Sequence, residues 1–170
     1  MGNIVNKVEE SGFITINLEE YYSPEKRHFI DLKEQLHEGL ILRERDFRSY
    51  VKTFPWEQYK NTHVAIDISS DAIVPAWAFM LVATALSPFA KTIVKGSLDD
   101  LNSHLFSKAI DAIDTTPYHN KFVIVKGCAK VPVPESAYVH LCTTLQPVVK
   151  TLSYGEACSK VPLYKKKLKI

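Results

Sequence analysis

HVAIDISSDAIVPAWAFMLVATALSPFA, His63 to Ala90, is the stretch that decides the fold. Val64, Ala65, Ile66 and Ile68 form a short apolar run broken only by Asp67. Such a run suits a strand buried on both faces, as in a parallel sheet covered by helices. Ser69, Ser70 and Asp71 supply a turn, and each can cap a helix N-terminus. Pro75 fits the first helical turn, where its missing N–H removes no intrahelical bond. Ser87-Pro88 disfavours further helix.

No charged residue occurs from Ala72 to Ala90, a run of 19 positions. About 18 apolar residues in a row is the usual threshold for a membrane span. Two prolines within the run, and strand signals on both sides of it, favour a buried helix instead. A helix apolar all round must be covered on every side. The sheet is expected to cover one face, and the N-terminal segment or a second subunit the other.

Downstream, the strand–turn–helix theme recurs. Thr92-Ile93-Val94 is a short strand, and Lys95-Gly96-Ser97 turns into an amphipathic helix near Leu98–Ile113. Lys121 to Val125 is the clearest strand, and Pro134 opens a helix that buries Ala137, Leu141, Leu145 and Val149. Thr151 to Tyr154 is a last strand, ending at Gly155. The remainder from Cys158 reads as an irregular basic tail. The order β-α-β-α-β-α-β over 63–154 predicts an α/β fold: three layers around a mainly parallel sheet with right-handed crossovers.

Upstream, Phe13 to Leu18 alternates as a strand, and Glu19 to Arg27 is a polar turn region. Phe29, Leu32, Leu36 and Leu40 recur at helical spacing. Asp46 is placed to cap a second helix carrying Phe47, Tyr50, Val51 and Phe54, which Pro55 ends. Trp56 and Tyr59 read as aromatic anchors at the core edge. The expected organisation is one domain over 1–170. Residues 1–60 form an α+β extension covering the core, and 61–170 form the α/β core and basic tail.

The totals narrow the function. The 170 residues are 46% hydrophobic and 24% charged, with a net charge of +2. That is ordinary globular composition, without a strong field to attract nucleic acid or membrane. Three cysteines cannot all pair within one chain, and no secretory apolar segment follows Met1. The expected location is the cytoplasm, with free thiols.

In parallel sheets, ligands bind outside the carboxyl ends of the strands. Cys128 and Cys158 both fall there, in segments that echo each other: CAKVPV from Cys128 and CSKVPL from Cys158. Thiolates are nucleophiles and soft metal ligands, so Cys128 and Cys158 are the candidate working residues and the candidate metal ligands. Asp71 and Glu156 are nearby polar partners, and Ser69 and Ser70 are candidate cofactor contacts. Two cysteines do not complete a zinc site, and no C-x-x-C is present. The competing reading is two small apolar side chains packed at strand ends. Cys142 neighbours Leu141 and Leu145 and reads as a buried structural thiol.

The polar knot of Asp67, Ser69, Ser70 and Asp71 supports a third reading, a small-molecule enzyme, although a helix cap with a satisfied sheet-end aspartate is the favoured explanation of it. Walker, G-x-S-x-G and G-x-G-x-x-G motifs are absent. The six histidines are dispersed. Lys160, Lys165, Lys166, Lys167 and Lys169 form a basic cluster that reads as a solvated end.

Several stretches taken together carry a resemblance: GLILRERDFR from Gly39, DAIVPAWAFM from Asp71, KGC from Lys126, VPESAY from Val133 and YGEACSKVPLYK from Tyr154. The chain resembles a bacterial family catalogued as domain of unknown function 2480. The resemblance brings an association with iron–sulfur assembly, and no catalytic residue. The association adds modestly to the reading drawn from Cys128 and Cys158: an accessory thiol site at the carboxyl edge of the sheet handling a metal ion, an iron–sulfur cluster or sulfur, with a protein partner in that work. The alternative is a non-catalytic, homo-oligomeric interaction module with helix 75–87 near the dimer seam.

Overall fold

The computed structural model describes residues 12–127 and 130–167. Seven strands run in chain order: β1 Phe13–Asn17, β2 Arg27–Asp31, β3 His63–Asp67, β4 Thr92–Lys95, β5 Phe122–Lys126, β6 Thr151–Glu156 and β7 Ser159–Lys165. Four α-helices are interspersed among the described residues: α1 Glu44–Thr53, α2 Ala76–Leu86, α3 Leu98–Asp111 and α4 Glu135–Leu145. The class is α/β with mainly parallel pairing, as the sequence indicates. No helix among the described residues is long and apolar enough to cross a membrane.

The strands divide between two sheets rather than one. The first has the order β1-β5-β6-β7 and the second β2-β3-β4. The chain divides likewise into two compact units, one running to Tyr22 and resuming at Leu105, the other spanning Ser23–His104. All pairings are parallel except β6 with β7. The N-terminal segment is therefore more than a cover, because it supplies the first strand of each sheet.

Two segments differ from expectation. Phe29, Leu32 and Leu36 have helical spacing, but Arg27–Asp31 is a strand followed by a 3₁₀ turn over Leu32–Gln35. The turn delivers Leu32 and Leu36 to the interior, so one apolar spacing serves a different backbone. The expected tail is strand β7, held antiparallel to β6 through Val161 opposite Tyr154 and Lys160 opposite Gly155.

The two units repeat one plan. Val74–Gly96 and Val133–Gly155 align at a constant offset of 59 residues. Val, Pro, Ala, Thr, Leu, Pro, Lys, Thr and Gly coincide at 74/133, 75/134, 78/137, 84/143, 86/145, 88/147, 91/150, 92/151 and 96/155. Seven core positions correspond between the two. Ile30, Leu32, Val64, Ile66, Ala78, Val82 and Leu86 in one match Ile16, Leu18, Val123, Val125, Ala137, Leu141 and Leu145 in the other. The first strand ends alike in both: Asn17 Oδ1 accepts from Glu19 N–H at 3.1 Å, and Asp31 Oδ1 from Lys33 N–H at 3.0 Å. Gly96 and Gly155 have φ of +144° and +112°, a region that favours glycine.

An aromatic wall of Phe47, Tyr50, Phe54, Trp56 and Trp77 completes the second unit, with Trp56 Nε1 donating to Val51 O at 2.7 Å. Burial pushes the Tyr50 hydroxyl up to about 12. Leu141 is fully buried at the centre of the other core. Leu141→Ala is expected to cost about 2–5 kcal/mol in urea unfolding, through lost burial and the cavity left behind. Gly155→Ala is expected to destabilise as well, because an added Cβ would sit 2.8 Å from Ser159 O at a φ that disfavours side chains.

Candidate functional site

Strands β5 and β6 are parallel neighbours that end together at the carboxyl edge of the first sheet. Lys126 Nζ and Glu156 Oε1, the two strand-end side chains, pair at 2.7 Å. Cys158 lies in the turn between β6 and β7 and is an exposed free thiol. Cys128 falls outside the described residues. Lys130 N–H donates to Glu19 Oε1 at 2.9 Å. No group of three or more His, Cys, Asp or Glu among the described residues has a metal-holding arrangement.

Ser69, Ser70 and Asp71 belong to the second unit, whereas Cys158 and Glu156 belong to the first. Ser69 is turned toward strand β2. Its N–H donates to Asp31 Oδ1 at 3.0 Å and its hydroxyl to Asp31 Oδ2. Burial pushes the Asp31 carboxyl up, but the Ser69 hydroxyl and the Lys33 and Ser69 N–H groups outweigh it and leave the pKa lowered. Asp67 Oδ1 pairs with Lys95 Nζ at 2.9 Å. The Ser70 hydroxyl is buried without a partner, and Asp71 is exposed. The knot ties β2, β3 and β4 together at their carboxyl ends, and its side chains do not converge on one point.

A hollow in the first unit lies elsewhere. A groove of about 590 Å³ runs between helix α4 and the β6–β7 hairpin. Helix α4 buries Ala137, Leu141 and Leu145 against the sheet. A second stripe of the same helix, at Glu135, Tyr138, Val139, Cys142 and Thr143, lines the groove. This i, i+3, i+4 spacing puts five side chains on one face. Val125 and Tyr154 also line it, and Val161 and Leu163 of β7 form the opposite wall. The Tyr138 and Tyr154 rings meet edge to face at 5.7 Å. Burial pushes the Cys142 thiol up, so it stays protonated and acts as an apolar lining group.

The amino-terminal ends of the strands carry polar chemistry that sequence reading missed. His63, read as one of six dispersed histidines, is buried at the start of β3. Its Nε2 lies 2.8 Å from Ser23 Oγ and 3.6 Å from Glu25 Oε2. The Ser23 hydroxyl donates to Glu25, and Lys91 Nζ donates to the other carboxylate oxygen. Serine, histidine and glutamate side by side resemble a nucleophile triad, but the order is wrong. A triad needs a carboxylate on Nδ1 to orient the ring. Here both partners sit on Nε2, and Nδ1 is buried without a hydrogen bond. With Ser23 donating to Glu25, Nε2–H donates to Ser23, so the ring is no base for that hydroxyl. In the first unit the matching residue is Phe122, with Lys150 Nζ 4.8 Å from its ring centre. Lys160 Nζ stands 3.4 Å from the centre of Phe13. Lys160, read as part of the basic tail, thus belongs to strand β7.

The cluster makes a pH prediction. Lys91 and Ser23 hold Glu25 at about 2, below the usual 4.5, while burial holds His63 below 6.5 despite the nearby Glu25. In both cases the unfolded chain binds protons more readily, so stability rises with pH. Stability is expected to fall as pH drops below 6.5, and again from 4.5 toward 2. His63→Phe, which installs the first unit's residue, should remove the upper window. Glu25→Gln should shrink the lower one, to which the lowered carboxyls of Asp31, Asp100 and Asp114 also contribute. Urea midpoints measured across both windows check this.

No curated protein and no solved structure matches the chain. One family model, described as protein of unknown function (DUF2480), matches residues 2–166. The sheets, the two units and the α4–hairpin groove are therefore those of a member of this family, to which the chain belongs.

Proposed function

We propose that the chain is a non-catalytic protein-interaction module that works as a homo-oligomer. Its α4–hairpin groove takes an apolar segment of a protein partner. The observation that carries this reading is the second stripe of α4. Val139 is 65% exposed, and Val161 and Leu163 face it across the groove, also exposed. A helix that has already buried one stripe has no structural need for a second. Grooves of this size and apolar lining suit the anchor residues of an amphipathic segment. The exposed free thiol of Cys158 fits work in the reducing cytoplasm.

A photocrosslinking residue at Val139 in living cells is expected to trap one discrete adduct. Leu163→Asp should weaken that partner's binding about tenfold or more, as expected for an anchor site. Absence of any adduct, in cells where the protein's phenotype depends on it, overturns the reading.

A second reading, an accessory thiol site in metal, cluster or sulfur handling, is favoured by one observation. The strands that precede Cys128 and Cys158 end side by side, tied by Lys126 and Glu156. Protein purified without oxygen is then expected to carry stoichiometric metal and acid-labile sulfide, both lost in Cys128→Ser and Cys158→Ser. Retention of that metal in both variants excludes these residues as ligands.

A further inference from the structure

The uncharged helix α2 is not covered on every side. Ala78, Val82 and Leu86 are buried, whereas Met80 is 67% exposed, with Ala76 and Thr84 also exposed. Strand β4 beside it ends the sheet order β2-β3-β4, with no strand on its outer side among the described residues. The repeat shows what this face lacks. In the first unit the matching strand β6 pairs antiparallel with β7, and the matching helix stripe faces Val161 and Leu163. At the 59-residue offset that stripe is Ala76, Phe79, Met80, Ala83 and Thr84. The edge contact is matched too, since Lys95 Nζ lies 5.6 Å from the Phe79 ring centre where Tyr154 meets Tyr138. After β6 the chain returns as a hairpin. After β4 it turns at Gly96 directly into α3, so no strand of its own follows to fill the edge.

We propose that a second copy of this chain fills it, with β4 pairing antiparallel to β4 of the partner across a two-fold axis. Charge selects this occupant. No ionisable side chain occurs between Ala72 and Ala90, so a charged partner face would be desolvated there without a counter-ion. The same stripe on a second copy brings none, and Ala76 and Ala83 leave room for close approach. Self-pairing centred between Ile93 and Val94 puts Thr92 opposite Lys95 and keeps each Lys95 beside its own Asp67. The spacing also works. Strands pair about 4.8 Å apart, and a crossover helix lies over the strands it joins, so the two α2 axes fall about 10 Å apart, a normal helix-packing distance. The arrangement is closed and isologous, so it stops at two copies.

Sedimentation of the full chain from micromolar to hundreds of micromolar, together with amide exchange in β4, tests the seam. The expected result is a monomer–dimer equilibrium in which the β4 amides slow with concentration. Met80→Glu, at a surface position of the monomer, should raise the dissociation constant about tenfold or more with an unchanged far-ultraviolet spectrum. A chain monomeric throughout overturns the proposal. So does a dimer whose β4 amides stay fast, a result that stands even if Met80→Glu fails to fold. Protection of β4 only by an added foreign polypeptide would assign the face to another occupant. The seam rests on the homo-oligomeric reading proposed above: a dimer with fast β4 amides overturns the seam alone, a chain monomeric throughout overturns both, and adducts at Val139 test the groove of the first unit separately.

Discussion

Each sheet depends on a strand that must be fetched from the start of the chain. Strand β1 pairs with β5 along its whole length, Phe13 opposite Phe122 and Asn17 opposite Lys126. Strand β2 pairs with β3 in the same way, Arg27 opposite His63 and Asp31 opposite Asp67. Without these pairings Ile16, Leu18, Ile30 and Leu32 have no core to enter, and the asparagine and aspartate caps have no turn to hold. Such long-range closure costs loop entropy before any contact offsets it, and it makes folding slow. The second unit closes the shorter loop, at a smaller entropic cost. The first waits until β5 is in place.

The repeat separates what the framework requires from what each unit adds. Conserved between the halves are the apolar positions, the prolines that open and close the crossover helix, and the glycine at the end of the third strand. Beyond Thr84/Thr143, Lys91/Lys150 and Thr92/Thr151, the polar positions differ. The middle strand ends in Asp67 paired to Lys95 in one unit and in Lys126 paired to Glu156 in the other. The strand start holds a buried histidine in one and an exposed phenylalanine under a lysine in the other. Function resides in such differences, since the same scaffold serves both halves.

Much of this plan was legible in the sequence. Apolar runs marked β3 and β5, and period and proline placement marked α1, α2, α3 and α4 to within a few residues. Strand β2 was not legible, because its exit through a 3₁₀ turn lets Leu32 and Leu36 mimic a helix face. Strand β7 was hidden by Pro162 and its lysines, which look like a tail unless β6 is already beside them. The echo of CAKVPV and CSKVPL does not share the 59-residue offset of the repeat. The true repeat is carried by scattered apolar identities. The groove was out of reach for a related reason: its walls come from residues 125, 135–143, 154 and 161–163, which only the hairpin brings together.

The two edges differ in a way that bears on what each unit is for. Sheet edges are templates for unwanted pairing, and proteins blunt them with proline, bulges and lysine. Strand β7 carries all three: Pro162, a register shift near Leu163, and Lys160 and Lys165. Strand β4 carries Lys95 alone, with neither proline nor bulge, and stands beside an uncharged helix stripe. One edge of the duplicated plan is thus protected and the other left competent to pair. Had both edges faced water in the working protein, both would need the same protection. The asymmetry follows if β7 closes the first unit permanently and the edge of the second is closed by association.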